Sequence, residues 1–61
     1  MPTIGKRIQA ARHAQGWTQV QLAGVMGYST VYISCIERDV YKPSGRAISA
    51  FEKALRTKLV R

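Results

Sequence analysis

The chain has few side chains that could carry out catalysis or hold a metal ion. It contains one cysteine, Cys35, one histidine, His13, and three acidic residues among 61. A structural zinc site usually takes four Cys or His ligands, and a cysteine nucleophile needs a base held beside it. The sequence has no glycine-rich phosphate loop and no pair of carboxylates beside a base. We therefore predict that the chain is not an enzyme and binds no metal, cofactor or small-molecule ligand.

The basic side chains favour a different chemistry, the electrostatic attraction of a polyanion. Ten lysines and arginines against three acidic residues give a formal net charge of +7 and a pI near 10.4. Nucleic acid and anionic membrane surfaces are the natural partners of such a chain. Residues 46–61 would form a basic amphipathic helix, so docking on a membrane surface or an acidic protein is an alternative to binding nucleic acid.

Length, composition and cysteine content predict one small domain in a reducing compartment. Residues 1–61 fit a single domain, and a hydrophobic content of 46% is enough for it to fold. A domain this short buries only about 60% of its unfolded surface, so pairing with a second copy would stabilise it. One cysteine excludes an internal disulfide, residues 1–3 begin no signal peptide, and no apolar run approaches the roughly 20 residues that cross a bilayer. We expect a cytoplasmic protein.

Two helices are predicted in the N-terminal half. The first has apolar residues at spacings of four and three, between a threonine cap and a glycine suited to a left-handed end: Ile4, Ile8 and Ala11, with Thr3 and Gly16. The second has the spacings of a capping box and a hydrophobic staple and ends at a glycine: Thr18 with Gln21, Trp17 with Leu22, and Gly27.

Two further helices are predicted, the first of them against local propensity. Residues 30–33 are β-branched or aromatic, which by itself favours a strand. Ser29 is nevertheless a good N-cap, and Ile33, Ile36 and Glu37 share one side of a helix. The last segment starts at Ser44 and continues nearly to the end of the chain with apolar residues at helical spacing: Ile48, Phe51, Leu55 and Leu59.

The segment from Gln19 to Arg38 resembles the helix-turn-helix of the Cro and phage-repressor superfamily, of the xenobiotic-response-element type. Ala23 stands where the two helices of the motif must approach closely, and Gly27 stands at the turn between them. Ile33 and Ile36 stand where the second helix packs on the first. Glu37 matches the acidic residue that closes the family's recognition helix, and outside the motif the family pattern is matched by Ile4, Ile8, Arg12, Pro43 and Leu55.

This resemblance implies an all-α fold, a compact four- to five-helix, lambda-repressor-like DNA-binding domain whose motif spans about residues 19–38. It implies a sequence-specific regulator of transcription that binds a palindromic double-stranded DNA operator as a homodimer. Residues from about 29 to 38 would be the recognition helix in the major groove. The loop at Val40 and Tyr41 and the last turn, Leu59 and Val60, offer apolar groups for contact between two copies.

Several biological settings remain open within this class. The resemblance fits a Cro-like protein or repressor of a phage, a restriction-modification controller and an antitoxin-type regulator equally well. Each would act on the nucleoid, in the cytoplasm of a bacterial or phage-infected cell. The sign of regulation and the operator sequence are not determined by the residues.

Four residues of the recognition helix are candidates for contact with DNA bases. If Ile33 points inward and successive residues turn by about 100°, Val31, Cys35 and Arg38 point outward, Ser34 lies on the flank and Thr30 lies in the first turn. The N-terminal residues of such a helix meet base edges, so the candidates are Thr30, Val31, Ser34 and Cys35. These short side chains can pack on thymine methyls and make single hydrogen bonds. The family often has Gln, Asn, Arg or Lys on this face, which make more discriminating bidentate bonds. We therefore expect the chain to depend on DNA shape, or on Arg38, more than is usual.

Two groups of residues are candidates for contact with DNA phosphates. The N-terminal end of the second helix, at Thr18 and Gln19, is an anion site, and Gln19 resembles the family's backbone-contacting glutamine. The second group, Arg38, Lys42 and Arg46, clusters around the loop that follows the recognition helix. These cations would contact the DNA backbone on the other side of the major groove.

Three residues bear on how the recognition helix is held. The resemblance implies a buried salt bridge between Arg12 and Glu37, which would tie the first helix to the end of the recognition helix. Asp39 stands where the family usually has glycine. Aspartate tolerates a left-handed backbone, but a carboxylate beside phosphates is unfavourable, and the sequence offers no reason for it.

Overall fold

Each helix of the chain begins at a hydroxyl side chain that satisfies its first backbone groups. In the computed structural model, which describes residues 2–59, the elements are α1 (Ile4–Ala14), α2 (Gln19–Met26), α3 (Thr30–Glu37) and α4 (Gly45–Leu55). The residue before each helix, Thr3, Thr18, Ser29 or Ser44, accepts a hydrogen bond from the backbone N–H three residues later. Such a cap typically stabilises a helix by about 1 kcal/mol. The predicted all-α fold is confirmed.

The turn between α2 and α3 has the backbone that the sequence predicts. Thr18 and Gln21 form both bonds of the capping box, at 3.1 and 2.8 Å. At the other end of α2, Gly27 is left-handed, with φ of 75°, and its N–H donates to Ala23 O at 2.8 Å. A glycine adopts this conformation without strain, so α2 stops there and the chain turns into α3.

α3 is a helix although its residues favour a strand by propensity. Ile33 and Ile36 are fully buried on the same side, and Ser29 Oγ accepts from Tyr32 N at 3.1 Å. The propensity difference amounts to less than about 1 kcal/mol per residue. Burying an isoleucine side chain is worth about 1.5–3 kcal/mol, so tertiary packing decides the conformation.

The core lies where α3 and α4 both pack against α1 and α2. It consists of apolar side chains from all four helices and one residue beyond them: Ile8, Leu22, Ala23, Ile33, Ile36, Ala47, Phe51, Leu55 and Leu59. Trp17, Ile4 and Ala11 pack against this cluster from its edge. Because α3 contributes only one side to the core, its opposite side faces solvent.

The C-terminal segment departs from the predicted continuous helix. α4 ends at Leu55, and Arg56 takes a left-handed backbone with φ of 55°. The chain then turns back, so that Leu59 is only 2% exposed and its N–H donates to Glu52 Oε2 at 2.9 Å. Arg7 Nη1 donates to Leu59 O at 3.1 Å. The expectation that Leu59 is free to contact a second copy is therefore wrong, because it completes the core of its own chain; Val60 lies outside the described residues.

The helices are short compared with the thickness of a bilayer. Within residues 2–59, none has the length and apolar character that crossing a membrane requires.

Candidate nucleic-acid interface

The solvent-facing side of α3 carries the four residues predicted to contact bases. Val31 is 72% exposed, while Thr30, Ser34 and Cys35 are half-buried. This is the rotation of the helix that was expected from an inward-pointing Ile33. Val31 therefore presents an apolar side chain to solvent. The side chains of this face are short, so the α3 backbone could approach another surface closely.

Three cations surround the end of α3 and the start of α4. Arg38 is the C-cap residue of α3, and Lys42 and Arg46 lie on the two sides of the N-cap Ser44. All three are exposed. Arg38 Nη2 lies 3.8 Å from Cys35 Sγ, so its guanidinium extends back over the outer side of α3. The structure thus brings one cation, Arg38, onto the candidate base-contacting face, and the other two are exposed in the segment that follows α3.

A buried ion pair joins α1 to the last residue of α3. Arg12 donates to both oxygens of Glu37, from Nε to Oε2 at 2.7 Å and from Nη2 to Oε1 at 2.9 Å. Their side chains are only 7% and 1% exposed. Arg12 Nη1 also donates to Trp17 O at 2.8 Å, which satisfies the carbonyl just before α2. The pair implied by the family resemblance is thus present, and it holds three parts of the chain together.

The start of α2 is bonded to the same carboxylate. Gln19 Nε2 donates to Glu37 Oε1 at 3.1 Å, which the sequence did not suggest. One hydrogen of this amide remains available for another acceptor. Thr18 is exposed, and its hydroxyl oxygen accepts from Gln21 N, which leaves the hydroxyl hydrogen available to donate to another acceptor. Both residues therefore combine a structural bond with a spare donor at a helix N-terminus, where negative charge is favoured.

The carboxylate of Asp39, which the sequence left unexplained, is bonded to the N-terminal end of α1. The backbone of Asp39 is left-handed, with φ of 62°. Thr3 Oγ1 donates to Asp39 Oδ2 at 2.6 Å, and Gly5 N donates to Asp39 Oδ1 at 3.3 Å. Gly5 is buried, and a Cβ there would overlap the Ile36 carbonyl oxygen. Because Gly5 has no side chain, α1 can approach the end of α3 closely. No sequence pattern indicated this contact.

A series of aromatic rings leads from the core to the loop after α3. Tyr28 lies 6.2 Å from Phe51 and 4.9 Å from Tyr32 between ring centroids, and Tyr32 lies 6.4 Å from Tyr41. Burial raises the pKa of Tyr32, and the neighbouring Tyr28 raises it further. Tyr41 and the adjacent Val40 are 55% and 59% exposed. The loop therefore presents two apolar side chains on a support that is packed to the core.

Metal-ligating side chains do not gather at this face. Among residues 2–59, no three His, Cys, Asp or Glu side chains lie close enough together to hold a metal ion.

Comparison with known proteins identifies the family of this two-helix arrangement. A family model described as helix-turn-helix matches residues 8–61. The chain belongs to the helix-turn-helix family. The immunity repressor protein of Bacillus phage phi105 is 45% identical to this helix-turn-helix chain over 53 residues, which are 87% of the chain and 37% of that repressor. The chain therefore spans little more than a third of that relative's length.

Solved structures of helix-turn-helix proteins have the same fold. The P22 c2 repressor in complex with a synthetic operator is 34% identical and superposes with a TM-score of 0.87, covering 97% of this chain and 89% of that one. SinR, described as the master regulator for biofilm formation and solved in complex with DNA, is 29% identical, with a TM-score of 0.85 and coverages of 93% and 92%. The similarity extends over the four helices rather than the motif alone.

Proposed function

We propose that this chain is a sequence-specific, double-stranded-DNA-binding regulator of transcription that acts as a homodimer. The observation that carries the proposal is the outer face of α3, where Val31 is exposed and Arg38 lies 3.8 Å from Cys35; the exposed cations Lys42 and Arg46 follow within eight residues of Arg38 in the chain. An exposed apolar side chain with cations nearby is complementary to the major groove, which presents base edges at its floor and phosphates along both sides. The relatives solved with DNA or an operator support the same function.

In this proposal the N-terminal part of α3 enters the major groove. Thr30, Val31, Ser34 and Cys35 then lie against base edges. Val31 would pack on thymine methyls, and the hydroxyls of Thr30 and Ser34 would make single hydrogen bonds. Because these contacts discriminate weakly, the preferred sequence would also be selected through the shape of the DNA.

Phosphate contacts would hold α3 in its groove from both sides. On one side, the free donors of Thr18 and Gln19 at the start of α2 would bind one phosphate. On the other side, Arg38, Lys42 and Arg46 would bind the opposite backbone. Lys and Arg contacts of this kind supply affinity without sequence preference and weaken as salt rises.

Two copies would bind together, because one α3 covers only a few base pairs. A palindromic operator presents two half-sites about 34 Å apart on one side of the duplex. Val40 and Tyr41 are the groups we assign to the contact between copies, since they are apolar, exposed and adjacent to α3. The 45% identity to a phage immunity repressor favours a repressor of this type over a restriction-modification controller or an antitoxin. Such a regulator acts by occupying DNA on the nucleoid, in the cytoplasm, and catalyses no reaction.

The test is a selection of bound duplexes from random DNA, followed by sedimentation of the complex. We expect an enriched, approximately palindromic sequence that binds two chains. Vesicles of anionic lipid serve as the comparison, because a merely basic surface would bind both partners. Enrichment of no sequence, together with binding to vesicles, would contradict the proposal and favour a membrane- or protein-docking module. A tight complex of one chain on an asymmetric site would contradict the dimer.

A further inference from the structure

The carboxylate of Asp39 lies immediately after the helix that we assign to the major groove. We propose that Asp39 is a positioning residue for DNA binding: it ties the turn at residues 39–42 to the start of α1 and so holds Lys42 in place. This inference rests on the proposed function. It also accounts for a charge that would otherwise oppose the phosphates.

The backbone of this turn is the kind for which glycine is usual. Asp39 has φ of 62°, Asp39 N donates to Ile36 O at 3.1 Å, and Val40 N donates to Cys35 O at 2.9 Å. This is the pattern of a left-handed helix end, and side chains other than glycine, asparagine and aspartate are strained in it. Glycine would make the same turn with less restriction. The aspartate therefore contributes through its side chain and not through its backbone.

The side chain of Asp39 bonds to a part of the chain that is more than thirty residues away in sequence. It accepts from Thr3 Oγ1 at 2.6 Å and from Gly5 N at 3.3 Å. Both donors belong to the N-terminal end of α1, where the helix dipole favours a negative charge. The charge of Asp39 is thereby directed at the N-terminal end of α1 and balanced by the dipole of that helix.

If this turn is already ordered in the free chain, less conformational entropy is lost when DNA binds. Lys42 lies three residues beyond Asp39, and between them Val40 and Tyr41 have exposed side chains. Without the bond to α1, the turn would be held by the ring contact of Tyr41 with Tyr32 and by backbone bonds to Ile36 O and Cys35 O, of which the last, from Tyr41 N, is long at 3.4 Å. Ordering such a segment on binding costs affinity, and holding it in the bound form in advance avoids that cost.

The experiment compares three variants of the whole chain. Asp39→Gly keeps the left-handed turn but removes the bonds to α1, and Asp39→Asn keeps an acceptor for Gly5 N while removing the charge. The control is Arg56→Gly, which changes the other residue within 2–59 that is left-handed and not glycine; it lies at the end of α4, which the proposal does not assign to DNA. The readouts are Kd for the duplex selected by the wild-type chain and for random-sequence duplex, the thermal midpoint, and amide hydrogen exchange of Val40 and Tyr41.

We expect Asp39→Gly to raise Kd about three- to tenfold for both duplexes, since phosphate contacts are independent of sequence. The Val40 and Tyr41 amides should exchange about three- to tenfold faster, because the turn opens more often. Asp39→Asn should stay within about twofold of wild type in both readouts, and Arg56→Gly should leave Kd unchanged. A second route removes the partner instead: Thr3→Val should weaken binding, and its effect should not add to that of Asp39→Gly.

Three results would overturn the inference. Asp39→Gly that binds as well as wild type, or more tightly, would mean that the carboxylate does not position the turn. Asp39→Asn that binds as poorly as Asp39→Gly would assign the effect to charge instead of the bonds. A fall in thermal midpoint large enough to leave the variant partly unfolded at the binding temperature, with wild-type affinity restored on cooling, would make the role purely structural. A wild-type chain that binds neither duplex would instead refute the proposed function itself.

Discussion

Glu37 Oε1 accepts a hydrogen bond from Gln19 Nε2 at 3.1 Å, so the last residue of α3 is bonded to the first residue of α2. The same oxygen accepts from Arg12 Nη2 at 2.9 Å. One buried carboxylate therefore connects the body of the domain, the recognition helix and a candidate phosphate-binding end. Because these bonds restrain the end of α3 relative to the start of α2, the angle between α2 and α3 depends on Glu37.

Removing this carboxylate should destabilise the chain more than any surface substitution. Glu37→Ala leaves Arg12 buried without its partner, and breaking such a pair costs about 3–5 kcal/mol. A domain of this length has a total stability of roughly 3–9 kcal/mol, so this variant should be close to unfolding. Glu37→Gln keeps an acceptor for Gln19 and should lose less. Urea denaturation measures both, and a double-mutant cycle with Arg12→Ala should show a coupling above about 0.5 kcal/mol; additive effects would mean that the pair is not formed in solution.

The local features of the fold were predictable from the sequence because each depends on neighbours in the chain. The caps at Thr18 and Ser29 and the left-handed Gly27 follow from residue types within four positions. α3 was not predictable in this way, since its own residues favour a strand. Its prediction required the family resemblance, which implies the tertiary contacts of Ile33 and Ile36.

The features that the sequence missed all join residues far apart in the chain. Asp39 was unexplained because its partners, Thr3 and Gly5, are 36 and 34 residues away. Leu59 continues the apolar spacing of α4, so the pattern could not reveal that Arg56 ends the helix first. An apolar residue at position 59 is expected whether α4 continues to it or the chain reverses after α4, so the sequence pattern does not distinguish these two structures. The direct contacts of the site residues with DNA remain predictions.

Two of the glycines that lie in helices, Gly5 and Gly24, should respond oppositely to substitution by alanine. At Gly5, a Cβ would overlap Ile36 O and lie 2.6 Å from Asp39 Oδ1, so Gly5→Ala should destabilise the chain by about 1–3 kcal/mol. Gly24 is exposed in α2, and a Cβ added there would have no neighbouring atom within 4 Å, so Gly24→Ala should stabilise by up to about 1 kcal/mol. Thermal unfolding of the pair measures both signs. Equal effects at the two sites would contradict the close approach of α1 to α3.

Val31 should control sequence preference without affecting stability. Its side chain is 72% exposed in the free chain, so Val31→Ala removes no core contact. On DNA it removes two methyl groups from the proposed thymine contact, and operator affinity should fall by about 1 kcal/mol, or roughly fivefold. Val20, an equally apolar residue of α2 that is 66% exposed, is the matched control. Competition between selected and random duplexes distinguishes them: a loss at Val20 as large as that at Val31 would mean that the recognition surface is assigned incorrectly.

Lys42 and Arg46 should control salt dependence without affecting sequence preference. Each is assigned to one phosphate, so its alanine variant should weaken binding to all duplexes and make the slope of log Kd against log salt shallower by about one unit. Lys53 is the matched control, because it carries the same charge at a place that is not assigned to DNA. It lies on α4 and lines a shallow apolar groove with Val25 and Met26. Lys53→Ala removes the same charge and should leave the slope nearly unchanged. If all three variants shift the slope equally, only net charge matters and the assigned contacts are wrong.

Cys35 provides a chemical test of the orientation of α3. It is the only cysteine of the chain and is half-buried, with Arg38 Nη2 at 3.8 Å from its sulfur. A maleimide near neutral pH, where it reacts with thiols in preference to amines, should therefore label the free protein at Cys35, and the added bulk should prevent α3 from entering the groove. Operator DNA should protect the thiol, whereas random DNA should do so only at low salt. Cys35→Ser should bind DNA nearly as well as wild type, which separates the bulk of the label from loss of the sulfur. Labelling at an unchanged rate in the presence of saturating operator would show that this face of α3 remains in solvent, and a different surface would have to carry the DNA.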